Sequence, residues 1–226
     1  GVSAIVLAPL DDRSLMPPVM EAKGRGIPTV VIDSGLQGDA HSSFVATDNF
    51  KGGVLAAGRL GELLGGKGKI IMLRYQEGSA STTERERGFM ETMKSRFPDI
   101  QFLSDNQYAG ATTETAFTAS ENLLNTFTKP DAIFTPNESS TFGCLRALQS
   151  RGLAGKIVFV GFDSSTKLVE ALRNKEIQGL VLQNPFNMGY LGVKTAVAVI
   201  KGENFEKRID TGVMLATPEN MDDPEI

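Results

Sequence analysis

The sequence predicts an α/β fold built on parallel sheets, and three observations carry that expectation. Short apolar runs alternate with longer segments of helical period along most of the chain. The helical segments carry one-sided apolar stripes with recognisable start and stop residues. No period of 20 to 50 residues repeats, which sets a solenoid aside.

In order, the expected strands are 2–8, 28–32, 43–46, 69–73, 100–103, 131–135, 157–160 and 178–182. Helices are expected over 15–25, 49–65, 82–96, 113–127, 139–151, 165–174 and 187–201. The 49–65 segment shows the logic. Phe50, Val54, Ala57, Gly61 and Leu64 recur at four-three spacing, and Ala57 and Gly61 let the backbone lie close to its support. Gly65-Gly66 then stops the helix. Pro17-Pro18 falls in the first turn of the 15–25 helix, where lost N–H groups matter least. Ser81-x-x-Glu84 reads as a capping box. The acidic tail after Pro218 reads as loosely held.

Composition excludes several function classes. The 226 residues are 41% hydrophobic and 22% charged, with a net charge of −4, as in ordinary globular proteins. No apolar run of roughly 18 residues exists, so no transmembrane helix is expected. Lys and Arg are scattered, leaving no footprint for nucleic acid. The single Cys144 and single His41 exclude a His/Cys metal cluster, and no nucleophile-elbow sequence accompanies either residue. Cys144 reads as a small buried hydrophobe. Neither Gly52-Gly53 nor Gly65-Gly66-Lys67-Gly68 has a nucleotide-binding spacing. No catalytic residue, metal or cofactor is expected. Phe50, Phe89, Phe142 and Phe186 read as core in preference to ligand-stacking residues.

In open α/β sheets, ligands bind beyond the carboxyl ends of strands. That rule selects Asp33 after 28–32, Asn137 after 131–135, Asp163 after 157–160 and Gln183 after 178–182. Arg85 joins them from the helix start that follows 69–73. The set suits a polyhydroxylated ligand: carboxylates accept, Arg donates, and amides do both. Asp after a strand is often a turn residue and Asn before a helix a cap; the coincidence of five is what points to a site. Arg85 and Arg87 lie two apart and cannot share a helix face.

These residues sit in stretches that resemble the type I periplasmic sugar-binding proteins of ABC importers, on a ribose-receptor pattern. The stretches are Ala46-Thr47-Asp48-Asn49, Thr82 to Phe89 with its Arg85-Glu86-Arg87-Gly88 run, Phe134 to Glu138, Val160-Gly161-Phe162-Asp163, and Gln183-Asn184-Pro185. The resemblance implies two doubly wound lobes joined by three hinge crossovers. The first lobe would be 1–46 with 185–211, and the second 48–183 with 212–226. It implies a monosaccharide, a ribose-like pentose, held in the inter-lobe cleft by Asp33, Arg85, Asn137, Asp163 and Gln183. Ser34 stands where ribose receptors carry Arg, and Tyr108 stands near a position of sugar stacking; both are further candidate contacts. It also implies no catalysis, a periplasmic location, delivery to ABC transporter membrane subunits or a membrane sensor, and a monomer when complete. The family's first lobe opens with a strand-helix-strand-helix unit before the strand at 2–8, so sequence upstream of Gly1 is expected. The effector core of LacI-type repressors shares these lobes and is the alternative reading; it requires an upstream helix-turn-helix.

Overall fold

The computed structural model describes residues 1–224 and 226. Its elements run β1 (Ile5–Leu7), α1 (Met16–Gly24), β2 (Thr29–Ile32), β3 (Ser43–Ala46), α2 (Asn49–Leu63), β4 (Gly68–Arg74), α3 (Ala80–Arg96) and β5 (Ile100–Tyr108). There follow α4 (Thr113–Thr126), β6 (Ala132–Phe134), α5 (Glu138–Ser150), β7 (Val158–Phe162), α6 (Thr166–Arg173), β8 (Gly179–Leu182), α7 (Pro185–Lys201), β9 (Arg208–Asp210) and β10 (Met214–Ala216). They form two compact units: 1–49 with 77–83 and 183–213, and 50–76 with 84–182 and 214–226.

The first unit is a four-stranded sheet of order β1-β2-β3-β9, parallel throughout. Alternation along β2 winds it on both faces. Val31 joins Val19 of α1 and Leu36 on one side, and Val30 joins Val45 and Ala196 of α7 on the other. Segment 77–83, expected in the second lobe, belongs to this unit, where the Asp12 N–H donates to the Gly78 carbonyl at 2.9 Å. β9 was not expected, because Arg208-Ile209-Asp210 offers one apolar residue. Its end is fixed by the Asp210 carboxylate, which accepts from the N–H groups of Asp48 (3.1 Å) and Gly212 (2.9 Å).

The second unit is a six-stranded sheet of order β10-β8-β7-β6-β4-β5, with β10 antiparallel at one edge and the rest parallel. Its main core gathers Ile71, Leu73, Ile133, Phe159 and Leu180 from the strands against α4, α5 and α6. Cys144 is buried there, its thiol pushed up to about 12 by burial. On the opposite face Phe89 of α3 stacks on Phe134 at 4.1 Å. Phe50 lies beneath the Arg87 guanidinium, Phe142 packs against the core, and Phe186 of the first unit is exposed.

Two local expectations are corrected. α3 begins at Ala80, so Ser81 lies inside its first turn and forms no capping box; the reciprocal box is instead between Thr112 and Thr115 at α4. The tail is tied down: Arg59 pairs with Glu219 at 2.8 Å, Arg173 pairs with Asp222 at 2.9 Å, and Met221 packs on the core. Pro17 and Pro18 do occupy the first turn of α1, and left-handed Gly65 (φ 62°) follows α2.

Phe186, Tyr190, Val193, Val197 and Ile200 recur at helical spacing along α7 and are exposed, as are Val2 and Val6 at the β1 edge. Such a stripe exceeds the scattered apolar residues of most monomer surfaces, and β1 offers unpaired backbone groups beside it. The 226-residue chain is therefore expected to self-associate. Light scattering should give a mass above 24.3 kDa that rises with concentration, and Tyr190→Lys with Val197→Lys should lower it. A monodisperse 24.3 kDa species would contradict this.

Candidate functional site

In the second unit three of the expected residues come together beyond the carboxyl ends of β6 and β7. Asp163 directly follows β7 and adopts a left-handed backbone (φ 72°). Its N–H donates to the Val181 carbonyl of β8 at 2.8 Å. Its carboxylate accepts from the N–H of Glu138 at 2.9 Å, the first residue of α5. The helix start is thus satisfied by a carboxylate from another strand, which also suits the helix dipole. Asn137 occupies the N-cap position but makes no side-chain cap bond; its amide donates to Ser139 Oγ at 3.1 Å and accepts from Ser140 Oγ.

Arg85 is 2% exposed. Its Nη1 donates to the Pro136 carbonyl at 2.9 Å, and the guanidinium lies 4.3 Å above the Phe162 ring. One planar donor group is thereby fixed next to the residue preceding Asn137 and over the residue preceding Asp163. Stacking leaves the edge of the guanidinium as its hydrogen-bonding surface. The backbone at Arg85 is placed by close helix packing: a Cβ on Gly53 of α2 would overlap the Arg85 carbonyl oxygen, and one on Gly88 would overlap that of Phe50. Arg87 faces away, half-exposed and paired with Glu84.

The neighbouring Glu86 is buried and holds the end of β4, accepting from Arg74 Nε at 2.7 Å and from the Tyr75 N–H at 3.2 Å. Burial pushes its carboxyl above the usual range despite the Arg74 pair. Arg74 in turn lies 4.7 Å from the Tyr108 ring centroid. Tyr108 ends the edge strand β5, separated from β6 by β4. The structure therefore keeps Tyr108 with Arg74 and does not bring it to the Arg85 group.

In the first unit Asp33 follows β2 with the same left-handed backbone (φ 65°), and its N–H donates to the Val45 carbonyl of β3 at 3.0 Å. Among the described residues only Asp33, Asp163 and Lys175 combine a side chain with positive φ. Two of these three are the acids selected from sequence, and such backbone costs energy that the surroundings must over-determine. Ser34 is 4% exposed, and its hydroxyl accepts from the Ser81 N–H at 3.1 Å, holding the first turn of α3. Gln183 follows β8 in the chain and belongs to this unit. The next residue, Asn184, caps α7 by accepting from the Asn187 N–H at 2.9 Å. No group of His, Cys, Asp and Glu able to hold a metal ion occurs among the described residues. Sequence reasoning missed Phe162 and Pro136 as supports of Arg85. Phe162 carried a signal, since it immediately precedes Asp163.

A profile of the family described as periplasmic binding protein domain matches residues 1–204. The chain belongs to that family. Among its relatives, the ribose import binding protein RbsB of Bacillus subtilis (strain 168) is 29% identical over 217 residues, which is 96% of this chain and 69% of that protein. The solved structure of the periplasmic component of an ABC-type sugar transport system from Hahella chejuensis is 38% identical with a TM-score of 0.92, over 96% of this chain and 79% of that one. An ABC transporter solute binding protein from Agrobacterium vitis with bound D-fucose is 36% identical with a TM-score of 0.95, over 99% of this chain and 78% of that one. These periplasmic binding proteins share the α/β architecture of parallel sheets. No helix among the described residues is long and apolar enough to cross a membrane.

The packing around Arg85 sets a mutational contrast. Arg85→Ala should cost about 2–4 kcal/mol, because the buried Pro136 carbonyl loses its donor and the Phe162 ring its cover. Arg87→Ala, an exposed pair with Glu84, should cost no more than about 1 kcal/mol. Urea denaturation of both variants checks this; equal losses would contradict the assignment of faces.

Proposed function

We propose that this chain is a periplasmic receptor for a small monosaccharide, a ribose-like aldopentose or a closely related aldose, which it binds without transforming and delivers to an ABC transporter. The observation that carries the reading is the group of Arg85, Asn137 and Asp163 beyond β6 and β7. A carboxylate has about four lone-pair sites, so one that accepts from a backbone N–H can also accept from sugar hydroxyls. A stacked guanidinium donates along its edge, and an amide does both. Asp33 and Gln183 are proposed as further sugar ligands on the strength of the sequence resemblance, with Ser34 as a further contact next to Asp33.

The relatives favour the same class. Relatives whose names state a ligand include ones for ribose, D-fucose, D-arabinose and D-allose, and others name xylitol, tagatopyranose or myo-inositol; all of these are small polyhydroxylated molecules. Binding without catalysis follows the relatives, which are named as binding proteins and transport components. The periplasmic location and the membrane partner rest on the relatives' described roles in sugar import.

The test is a thermal-shift screen over pentoses, hexoses and polyols, followed by calorimetry. A ligand at 100 times its dissociation constant should add about 2.7 kcal/mol of stability. Asp163→Asn is the informative variant, because the amide oxygen can still accept from Glu138 while the charge is lost. It should weaken sugar binding roughly five- to a hundredfold, about 1–3 kcal/mol, with the melting point of the free protein nearly unchanged. Undiminished affinity would remove Asp163 from the site, and no response to any sugar would remove the proposed ligand class.

A further inference from the structure

A cavity of about 470 Å³ opens in the first unit at the amino ends of its strands. Its lining includes Pro28, Ser42 and Lys207, which immediately precede β2, β3 and β9. Asp33 and Asp210 lie at the opposite, carboxyl ends. A strand of four residues separates the two ends by about 13 Å, so this cavity is distinct from the site proposed for sugar.

Its chemistry differs as well. Two ammonium groups, Lys23 from the end of α1 and Lys207 from the start of β9, line it together with His41. Neither lysine makes an ion pair among the described residues. Lys23 donates to the backbone carbonyl of Asp39 at 3.3 Å, and the Lys207 ammonium lies 5.5 Å from the Phe205 ring centroid. Asp39 also lines the cavity, so the lining residues carry one net positive charge while His41 is neutral. Seryl hydroxyls from Ser3 and Ser42 add neutral donors, and Ile27 and Ile200 give one apolar wall. His41 Nδ1 is buried with no hydrogen-bonding partner among the described residues. Convergent cations and hydroxyls in a cavity of ligand size are the makings of an oxyanion site.

We propose that this cavity binds a phosphate group, with Lys23 and Lys207 as its cationic ligands and His41 as a third donor when protonated. The histidine reports on it. Burial first, then the Lys207 and Lys23 ammonium groups, hold its imidazole below the usual histidine range, with the Asp39 carboxylate opposing them. A phosphate seated beside the lysines offsets their field, so occupancy raises the titration midpoint of His41. By linkage, protonation of His41 strengthens phosphate binding, while protonation of inorganic phosphate to its monoanion in the same pH range opposes it, so the His41 midpoint and not the affinity alone is the quantity to follow. The apolar wall admits a phosphate carried on an apolar stem, so the group can come from free phosphate or from a lipid headgroup.

His41 is the only histidine, so its Hε1 proton gives a single imidazole resonance to follow by NMR. One arm titrates pH with and without inorganic phosphate at constant ionic strength, which separates binding from screening. The other measures cosedimentation with phosphatidylglycerol vesicles against phosphatidylcholine vesicles. Both use the native chain and a Lys23→Gln/Lys207→Gln variant, whose exposed positions leave the core untouched. Phosphate should raise the His41 midpoint by about one pH unit in the native chain and not in the variant. A lysine-dependent preference for phosphatidylglycerol without a response to free phosphate would support the site and identify the headgroup as its source. No effect in either arm, or equal effects in chain and variant, would overturn the proposal.

Discussion

The candidate site depends first on the backbone reversal at Asp163. A residue with a side chain held at φ 72° is stable only where several bonds over-determine it, and its backbone and its carboxylate are both tied. The N–H returns to Val181 of β8, and the carboxylate reaches the start of α5. Three element ends, those of β7, β8 and α5, are therefore fixed by one residue. Asp33 repeats the backbone geometry in the other sheet, where its N–H returns to Val45 of β3. The same backbone geometry thus recurs at the residue that follows a strand in each sheet.

Arg85 is placed by a different constraint. Gly53 and Gly88 let α2 and α3 approach until the backbone of each meets the other. A Cβ at either position would push α3 outward and move the guanidinium off Phe162 and Pro136. The resulting arrangement has few internal degrees of freedom: a stacked guanidinium tied to the Pro136 carbonyl, beside a carboxylate tied to the Glu138 N–H. Preorganised polar groups of this kind lose little on binding, because their ordering cost is already met in folding.

Much of the fold was legible because strands buried between helix layers are short apolar runs, and these stood out from β2 through β8. Lobe membership of 77–83 was not legible, since it rests on bonds to Asp12 and Ser34, far away in sequence. β9 and β10 were missed because three-residue strands at or near sheet edges carry almost no periodic signal. The strand-end rule drew attention to Asp33, Asn137 and Asp163, but the tolerance of Asp for the left-handed region is shared by every Asp in the chain and does not by itself single out Asp33 and Asp163. Nor could the rule tell that Asn137 leaves the capping of α5 to Asp163. Ser34 and Tyr108 each have a partner that a positional argument does not supply. Each sits at the carboxyl end of its strand, yet Ser34 is engaged with Ser81 and Tyr108 with Arg74, and neither partner is visible from the local sequence.

The most direct test of the central claim, that Arg85 and Asp163 form a sugar site beyond β6 and β7, is a crystal structure of the protein with its tightest-binding aldose. Sugar hydroxyl oxygens should lie within about 2.6–3.2 Å of both the Asp163 carboxylate and the Arg85 guanidinium, while the Glu138 and Pro136 bonds persist. A sugar bound elsewhere, with those two side chains contacting protein alone, would contradict it.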